Sequence, residues 1–195
     1  MMINCLLTGV GGQGTVLASK LIAQCAINEG LNAKTAETIG MAQRGGSVVS
    51  HVRIGEDIHS PLIPLGAADI IIGFEPGEAV RSLPYLKKGG TVIVCGKAIK
   101  PTTDSLSETS YSGEDMLAYL LSEEQNVIVI DGEEICRKCG SAKVLNTALL
   151  GAAAKSGTLG FSAEQFKSAM EMKIKEKFLQ MNLEAFELGA DAVDK

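Results

Sequence analysis

The chain has 195 residues, 46% of them hydrophobic, enough to bury a full core in one domain. Its net charge of -5 offers no broad attraction to a polyanion, and with aromatics at 4% and no tryptophan it has little to stack on bases, which argues against nucleic acid as a partner. The longest apolar runs, such as 68–74 and 127–130, fall far short of the roughly 20 residues that cross a bilayer, and no basic segment precedes the first apolar stretch, so neither a membrane nor export is expected.

Five cysteines (Cys5, Cys25, Cys95, Cys136, Cys139) form an odd, sparse set, several inside apolar runs where a thiol behaves as a small hydrophobe. That usage fits a reduced, cytoplasmic protein.

In chain order, short β-rich runs at 3–8, 33–37, 48–53, 70–74, 91–95 and 127–130 alternate with helical patterns. Such alternation predicts an α/β fold with a mainly parallel sheet and helices on both faces. Between the first two runs, Leu17, Leu21, Ile22 and Cys25 recur at helical spacing within 13–29, giving a Rossmann-like βαβ opening. Residues 48–54 alternate apolar and polar side chains, the pattern of an edge or antiparallel strand with one solvated face. The stretch 100–112 is rich in Ser, Thr and Pro and reads as a loop, followed by a helix at 113–122. The C-terminal third reads as helical elaboration. Ser141 is placed to cap a helix running to Lys155, and Ser162 with Gln165 three residues on fits a capping box. Phe166, Met170, Ile174 and Phe178 fall every four residues, a stripe suited to packing on the sheet or on a partner.

Gly9-Val10-Gly11-Gly12-Gln13-Gly14 fits G-x-G-x-x-G between a strand and a helix. Glycine permits a tight turn and close approach, and the free N–H groups of a helix start favour a phosphate or carboxylate. Glu37, at the end of the second strand, stands where a nicotinamide enzyme keeps its ribose-binding acid, so a free-standing NAD(P)-dependent oxidoreductase is one reading. A non-catalytic module that binds an anion is another, and glycines that merely let strand and helix pack closely are a third.

Next, Gln43-Arg44-Gly45-Gly46-Ser47 sets a guanidinium beside two glycines, a combination suited to gripping a carboxylate or phosphate but equally to a salt-bridged turn. Glu75 lies just past the end of the fourth strand, where ligands of open α/β sheets bind; it lines that cleft or caps the helix starting near Pro76, and Asp131 has the same two roles open. Asp69 flanks the same strand. His51 sits in the alternating strand and suits a polar face or subunit contact better than acid–base work; the other histidine is His59. Cys136 and Cys139 make a lone CxxC with no second pair and no nearby histidine, so no metal site is expected.

Two segments, Gly-Val-Gly-Gly-Gln-Gly at 9–14 and Ile-Gly-Met-Ala-Gln-Arg-Gly-Gly-Ser-Val-Val-Ser-His-Val-Arg-Ile-Gly at 39–55, resemble the gamma-type domain of pyruvate and related 2-oxoacid:ferredoxin oxidoreductases. The second is most similar to the small (beta) subunit of the indolepyruvate type. The likeness extends through 68–75, Asn146, Leu150-Gly151, Asn182, Ala185-Phe186 and Gly189, so it covers nearly the whole chain. It implies one gamma-type catalytic domain over 1–195, inactive alone, that completes a heteromeric enzyme converting aryl 2-oxoacids such as indolepyruvate to acyl-coenzyme A (CoA) with reduction of ferredoxin. The resemblance places thiamine diphosphate, Mg and iron–sulfur clusters mostly on a large alpha subunit. It also implies that Gly9, Gly11, Gly12, Gln13 and Gly14, with Gln43, Arg44, Gly45, Gly46 and Ser47, border an intersubunit active-site region. Arg44 would meet a 2-oxoacid or CoA anion there.

Overall fold

The structure is a computed structural model that describes residues 2–37, 46–99, 111–122 and 126–194. All six strands expected from the sequence are present: β1 (Ile3–Val10), β2 (Ala33–Glu37), β3 (Ser47–Ile54), β4 (Ala68–Gly73), β5 (Leu86–Cys95) and β6 (Asn126–Ile130). They form one sheet in the order β2-β3-β1-β4-β5-β6. β1, β4, β5 and β6 are mutually parallel, while β3 runs antiparallel to both of its neighbours.

The alternation in residues 48–54 therefore marks an antiparallel strand, but not an edge. β3 lies between β2 and β1, and Val48, Ser50, Val52 and Ile54 turn to the buried side. The opening β1–helix–β2 unit is thus split: β2 runs in the direction of β1 but with β3 inserted between them. Sequence periodicity reports which face of a strand is buried, not which strand lies beside it, because register is set by non-local pairing.

The helices are α1 (Thr15–Asn28), α2 (Pro76–Ser82), α3 (Gly113–Ser122), α4 (Gly132–Lys138), α5 (Leu145–Lys155), α6 (Ala163–Lys173) and α7 (Glu176–Asp191). On one face of the sheet Cys5, Leu7, Val52, Ile70, Ile72 and Ile93 pack beneath α1 and α4 to α7; on the other, Leu6, Ile71, Val92 and Val94 meet α2 and α3. In α1 the buried Ala18, Leu21, Ile22 and Cys25 recur at spacings of three and four, so one stripe faces the sheet. Each fully buried Leu or Ile contributes roughly 1.5–3 kcal/mol, which makes this the chief source of stability.

Ser162 and Gln165 form the expected capping box at α6. Ser141 caps a 3-10 turn, Ala142–Val144, that leads into α5. The four-residue stripe, by contrast, does not lie on one helix. α6 ends at Lys173, Ile174 and Lys175 are extended, and α7 starts afresh. Phe166 and Met170 are core, while Phe178 is exposed. No described helix is long and apolar enough to cross a membrane.

Candidate functional site

The parallel strands β1, β4, β5 and β6 end at one edge of the sheet, and the antiparallel β3 begins there, with Val10 paired to Ser47. The chain leaves β1 toward β2 and β3 on one side and later builds β4 on the other, so the gap between β1 and β4 is the switch point where open α/β sheets bind ligands. Gly9, Gly11, Gly12, Gln13 and Gly14, together with Gly46, Ser47 and Glu75, converge on this edge. Gln43, Arg44 and Gly45 lie outside the described residues.

The glycine loop is held shut from inside. The Val10 N–H donates to Gln13 Oε1 at 2.7 Å, and Gln13 Nε2 donates to the Phe74 carbonyl at 2.9 Å, so one side chain ties the loop to the end of β4. The Gly11 N–H donates to the Gly46 carbonyl at 2.9 Å, joining the loop to the start of β3. Gly9 must lack a side chain, since a Cβ there would stand 2.7 Å from that of Phe74. Gly12 has φ +103, and no atom of the described residues would stand within 4 Å of a Cβ there, so they leave the loop approachable on that side.

Gly14, at φ 92, is the N-cap of α1 and packs on the buried Asn146. Gly14 has no side chain to cap α1 and no acid sits in the first turn, an arrangement that leaves the positive end of the helix dipole uncompensated by these residues.

The start of α2 is closed to such a ligand. Glu75, buried at 2% exposure, caps α2 by accepting from the Glu78 N–H at 3.0 Å. Its Oε1 also accepts from the Tyr111 hydroxyl and from the Ile99 N–H at 3.4 Å, while Tyr111 accepts from the Gly77 N–H at 3.1 Å. Burial first, and the Glu75 carboxylate second, hold the Tyr111 hydroxyl above its ordinary range, so it stays a donor. Of the two roles open for Glu75, capping is observed, and its carboxylate fills the anion-favouring end of α2.

Glu37 also reaches this edge, where Ser19 of α1 donates to its Oε1 at 2.9 Å. With β3 inserted, β2 stands two strand spacings from β1, about 9–10 Å instead of about 5 Å. A ribose-binding acid needs β2 beside β1, so the topology weighs against a nicotinamide site.

The other residues singled out serve the fold. Asp131 caps α4 by accepting from the Glu134 N–H. Asp69 lies at the opposite edge, accepting from the Asn4 N–H and Lys87. His51 Nδ1 accepts from the Ile63 N–H at 3.2 Å and its ring meets Tyr85 edge-on; burial lowers its pKa, which keeps it neutral. His59 contributes its carbonyl to Lys34. A groove of about 920 Å³ near Leu83, Leu86 and Lys88 sits at the start of β5, away from the glycine loop.

The cysteines do not fit an iron–sulfur cluster, which needs about four convergent thiolates. Cys5, Cys25 and Cys95 are buried apart from solvent in the core, and burial pushes the Cys136 thiol up to about 11. Among the described residues no three His, Cys, Asp or Glu side chains converge as a metal set.

Sequence reasoning missed the bridging role of Gln13, the Tyr111 contact with Glu75, and Glu78, whose carboxylate accepts from Ser47. Only the Glu78 position, inside the first turn after the cap, carried a local signal.

The family described as pyruvate ferredoxin/flavodoxin oxidoreductase matches this chain over residues 4–192. Among curated relatives, the indolepyruvate oxidoreductase subunit IorB of Archaeoglobus fulgidus is 38% identical over 97% of this chain and 94% of its own length. That of Thermococcus kodakarensis is 36% identical over 97% and 95%. The ketoisovalerate oxidoreductase subunit VorA of Methanothermobacter thermautotrophicus is 29% identical, and this chain spans 35% of it. In solved structures the fold recurs in a keto/oxoacid ferredoxin oxidoreductase gamma subunit from Geobacter sulfurreducens, at TM-score 0.71 and 23% identity over 98% of both chains. It recurs again in 31% of a 2-oxoglutarate:ferredoxin oxidoreductase chain from Magnetococcus marinus, at TM-score 0.75 and 19% identity over 99% of this chain.

Proposed function

The chain belongs to the pyruvate ferredoxin/flavodoxin oxidoreductase family, and from that premise we propose that it is the small subunit of an enzyme that oxidatively decarboxylates aryl 2-oxoacids such as indolepyruvate to acyl-CoA while reducing ferredoxin. One observation carries the choice of substrate. Relatives of matching length, aligned from end to end at 36–38% identity, bear the indolepyruvate name. The ketoisovalerate relative VorA is less similar, at 29% identity.

In this reading residues 1–195 act as one gamma-type domain that completes a site formed with a large alpha subunit. Thiamine diphosphate, Mg and iron–sulfur clusters reside on that partner and supply the decarboxylation and electron transfer. This chain contributes orientation and electrostatics. The start of α1 and its glycine loop receive an anionic group of CoA or the 2-oxoacid, Arg44 grips it with a planar fork of donors, and Glu37 stands at the rim, with Glu75 holding the cap of α2 behind it.

The test is recovery of the tagged chain from its native cytosol, followed by assay for indolepyruvate-dependent ferredoxin reduction with CoA. The expected result is a complex with a larger thiamine diphosphate and iron–sulfur subunit that has this activity. Recovery of the chain alone, binding NAD(H) tightly, would overturn the reading.

A further inference from the structure

Glu78 is buried at 5% exposure, yet among the described residues its one ionic partner is Arg81, whose side chain is 63% exposed. A carboxylate in that position loses much of its hydration, and one solvent-facing guanidinium returns only part of the loss. A residue that merely filled space would be apolar.

What the carboxylate does is make directed contacts. Oε1 accepts from Arg81 at 2.7 Å and Oε2 from the Ser47 hydroxyl at 2.5 Å. The backbone of the same residue adds two more: its N–H donates to Glu75 Oε2 at 3.0 Å, and its carbonyl accepts from the Thr8 hydroxyl at 3.3 Å. Glu78 therefore touches the end of β1, the start of β3 and the cap of α2, the three elements around the switch point. Beyond Ser47 the chain of contacts continues. Gly46, its neighbour, accepts from the Gly11 N–H at 2.9 Å within the glycine loop.

We propose that Glu78 is a positioning residue for the ligand site: through Ser47 it fixes the Gly46 carbonyl, and through that carbonyl the backbone of the glycine loop. The kinetic consequence rests on the function proposed above, whereas the structural relay does not. Glu78 touches no ligand. By holding Gly11 it determines which loop N–H groups remain free for an anion, and its fixed orientation is what justifies burying a charge.

The relay is tested with Ser47→Ala, which removes the donor while leaving the Glu78–Arg81 pair, and with Glu78→Gln, with Ser47→Thr as the conservative rescue. In the full-length chain, Ser47→Ala is expected to lower the amide-exchange protection of Gly11 about tenfold, the loss of one hydrogen bond to a charged acceptor, and Ser47→Thr to restore it. In the assembled enzyme, KM for the anionic ligand held at the loop is expected to rise about tenfold with a smaller change in kcat, and the double variant to be no worse than either single one. Unchanged Gly11 protection with unchanged KM in Ser47→Ala would overturn the relay. So would losses that simply add in the double variant. Should the wild-type complex lack 2-oxoacid turnover, the proposed function fails, and Gly11 exchange still decides the relay.

Discussion

Gly151 of α5 and Gly189 of α7 meet at a helix crossing with no room for a methyl group on either side: a Cβ at Gly151 would stand 1.9 Å from the Phe186 carbonyl oxygen, and one at Gly189 1.9 Å from that of Ala148. Both obstacles are backbone atoms, which cannot swing aside as a flexible side chain would. Gly151→Ala should therefore lower stability by about 3 kcal/mol or more, at the upper end for overpacking, read as a shifted urea midpoint. Gly189→Ala should cost a similar amount and the pair less than the sum, since once the helices have separated the second methyl finds space. Wild-type midpoints in both variants would mean that the crossing is looser than described.

Gly9 and Gly12 belong to one motif but make opposite predictions. A methyl at Gly9 meets the Phe74 Cβ at 2.7 Å and Gln13 Oε1 at 2.8 Å, so Gly9→Ala breaks the Gln13 bridge and should destabilise the isolated chain by roughly 2–3 kcal/mol. At Gly12 a Cβ would meet no atom of the described residues within 4 Å, and among them only the positive φ resists a side chain, at about 1–2 kcal/mol. Gly12→Val should leave a folded chain that still assembles with its partner yet has lost most turnover, because the branched side chain stands where a ligand approaches the loop. Full turnover in that assembled variant would remove the glycine loop from the site.

Apart from β2, whose Ala-Lys-Thr-Ala-Glu holds one β-branched residue, the strands were legible as short runs rich in apolar and β-branched residues, and the alternation of residues 48–54 marked β3 as an edge or antiparallel strand, of which the second is observed. The insertion of β3 between β1 and β2 was not, since nothing local in either strand specifies its neighbour. The stripe through Phe166, Met170, Ile174 and Phe178 suggested one helix, and no Gly or Pro marks the break after Lys173. The course of α7 follows its crossing with α5, a tertiary fit that overrides a helix-favouring sequence. The glycine loop was recognisable from its spacing, whereas the contacts that hold it were hidden in distance along the chain. Gln13 reaches a carbonyl 61 residues away and Ser47 a carboxylate 31 residues away.

Stability should fall on the alkaline side because of buried thiols. Burial pushes Cys25 up to about 12 and Cys136 to about 11, from an ordinary value near 9. The unfolded chain then loses these protons at lower pH than the folded one. Their contribution is complete below pH 9 and is lost as pH rises through 11 and 12, at up to about 1.4 kcal/mol per pH unit for a fully buried thiol and less for the half-buried Cys136. Urea midpoints measured from pH 8 to 11 should decline, and Cys25→Ala should flatten the slope even though it lowers stability at pH 8. A slope unchanged by that substitution would assign the alkaline loss to other groups. By the same reasoning Cys136 should react slowly with iodoacetamide at pH 8, because the thiolate is the nucleophile.

Arg44 is the residue whose removal should separate activity from folding most cleanly. In sequence it stands two residues before Gly46, which Gly11 anchors at the switch point, and three before Ser47, which Glu78 holds. A guanidinium there offers an anion two parallel hydrogen bonds, and an ammonium only a point charge. Arg44→Ala should leave the urea midpoint and partner assembly near wild type while raising KM for the 2-oxoacid or CoA by about tenfold or more, the worth of a charge-assisted hydrogen bond. Arg44→Lys should recover part of that loss, since it restores charge without the fork. Varying one substrate with the other saturating identifies which anion the side chain meets, because only that KM moves. If both stay at wild-type values, Arg44 has no part in binding either one.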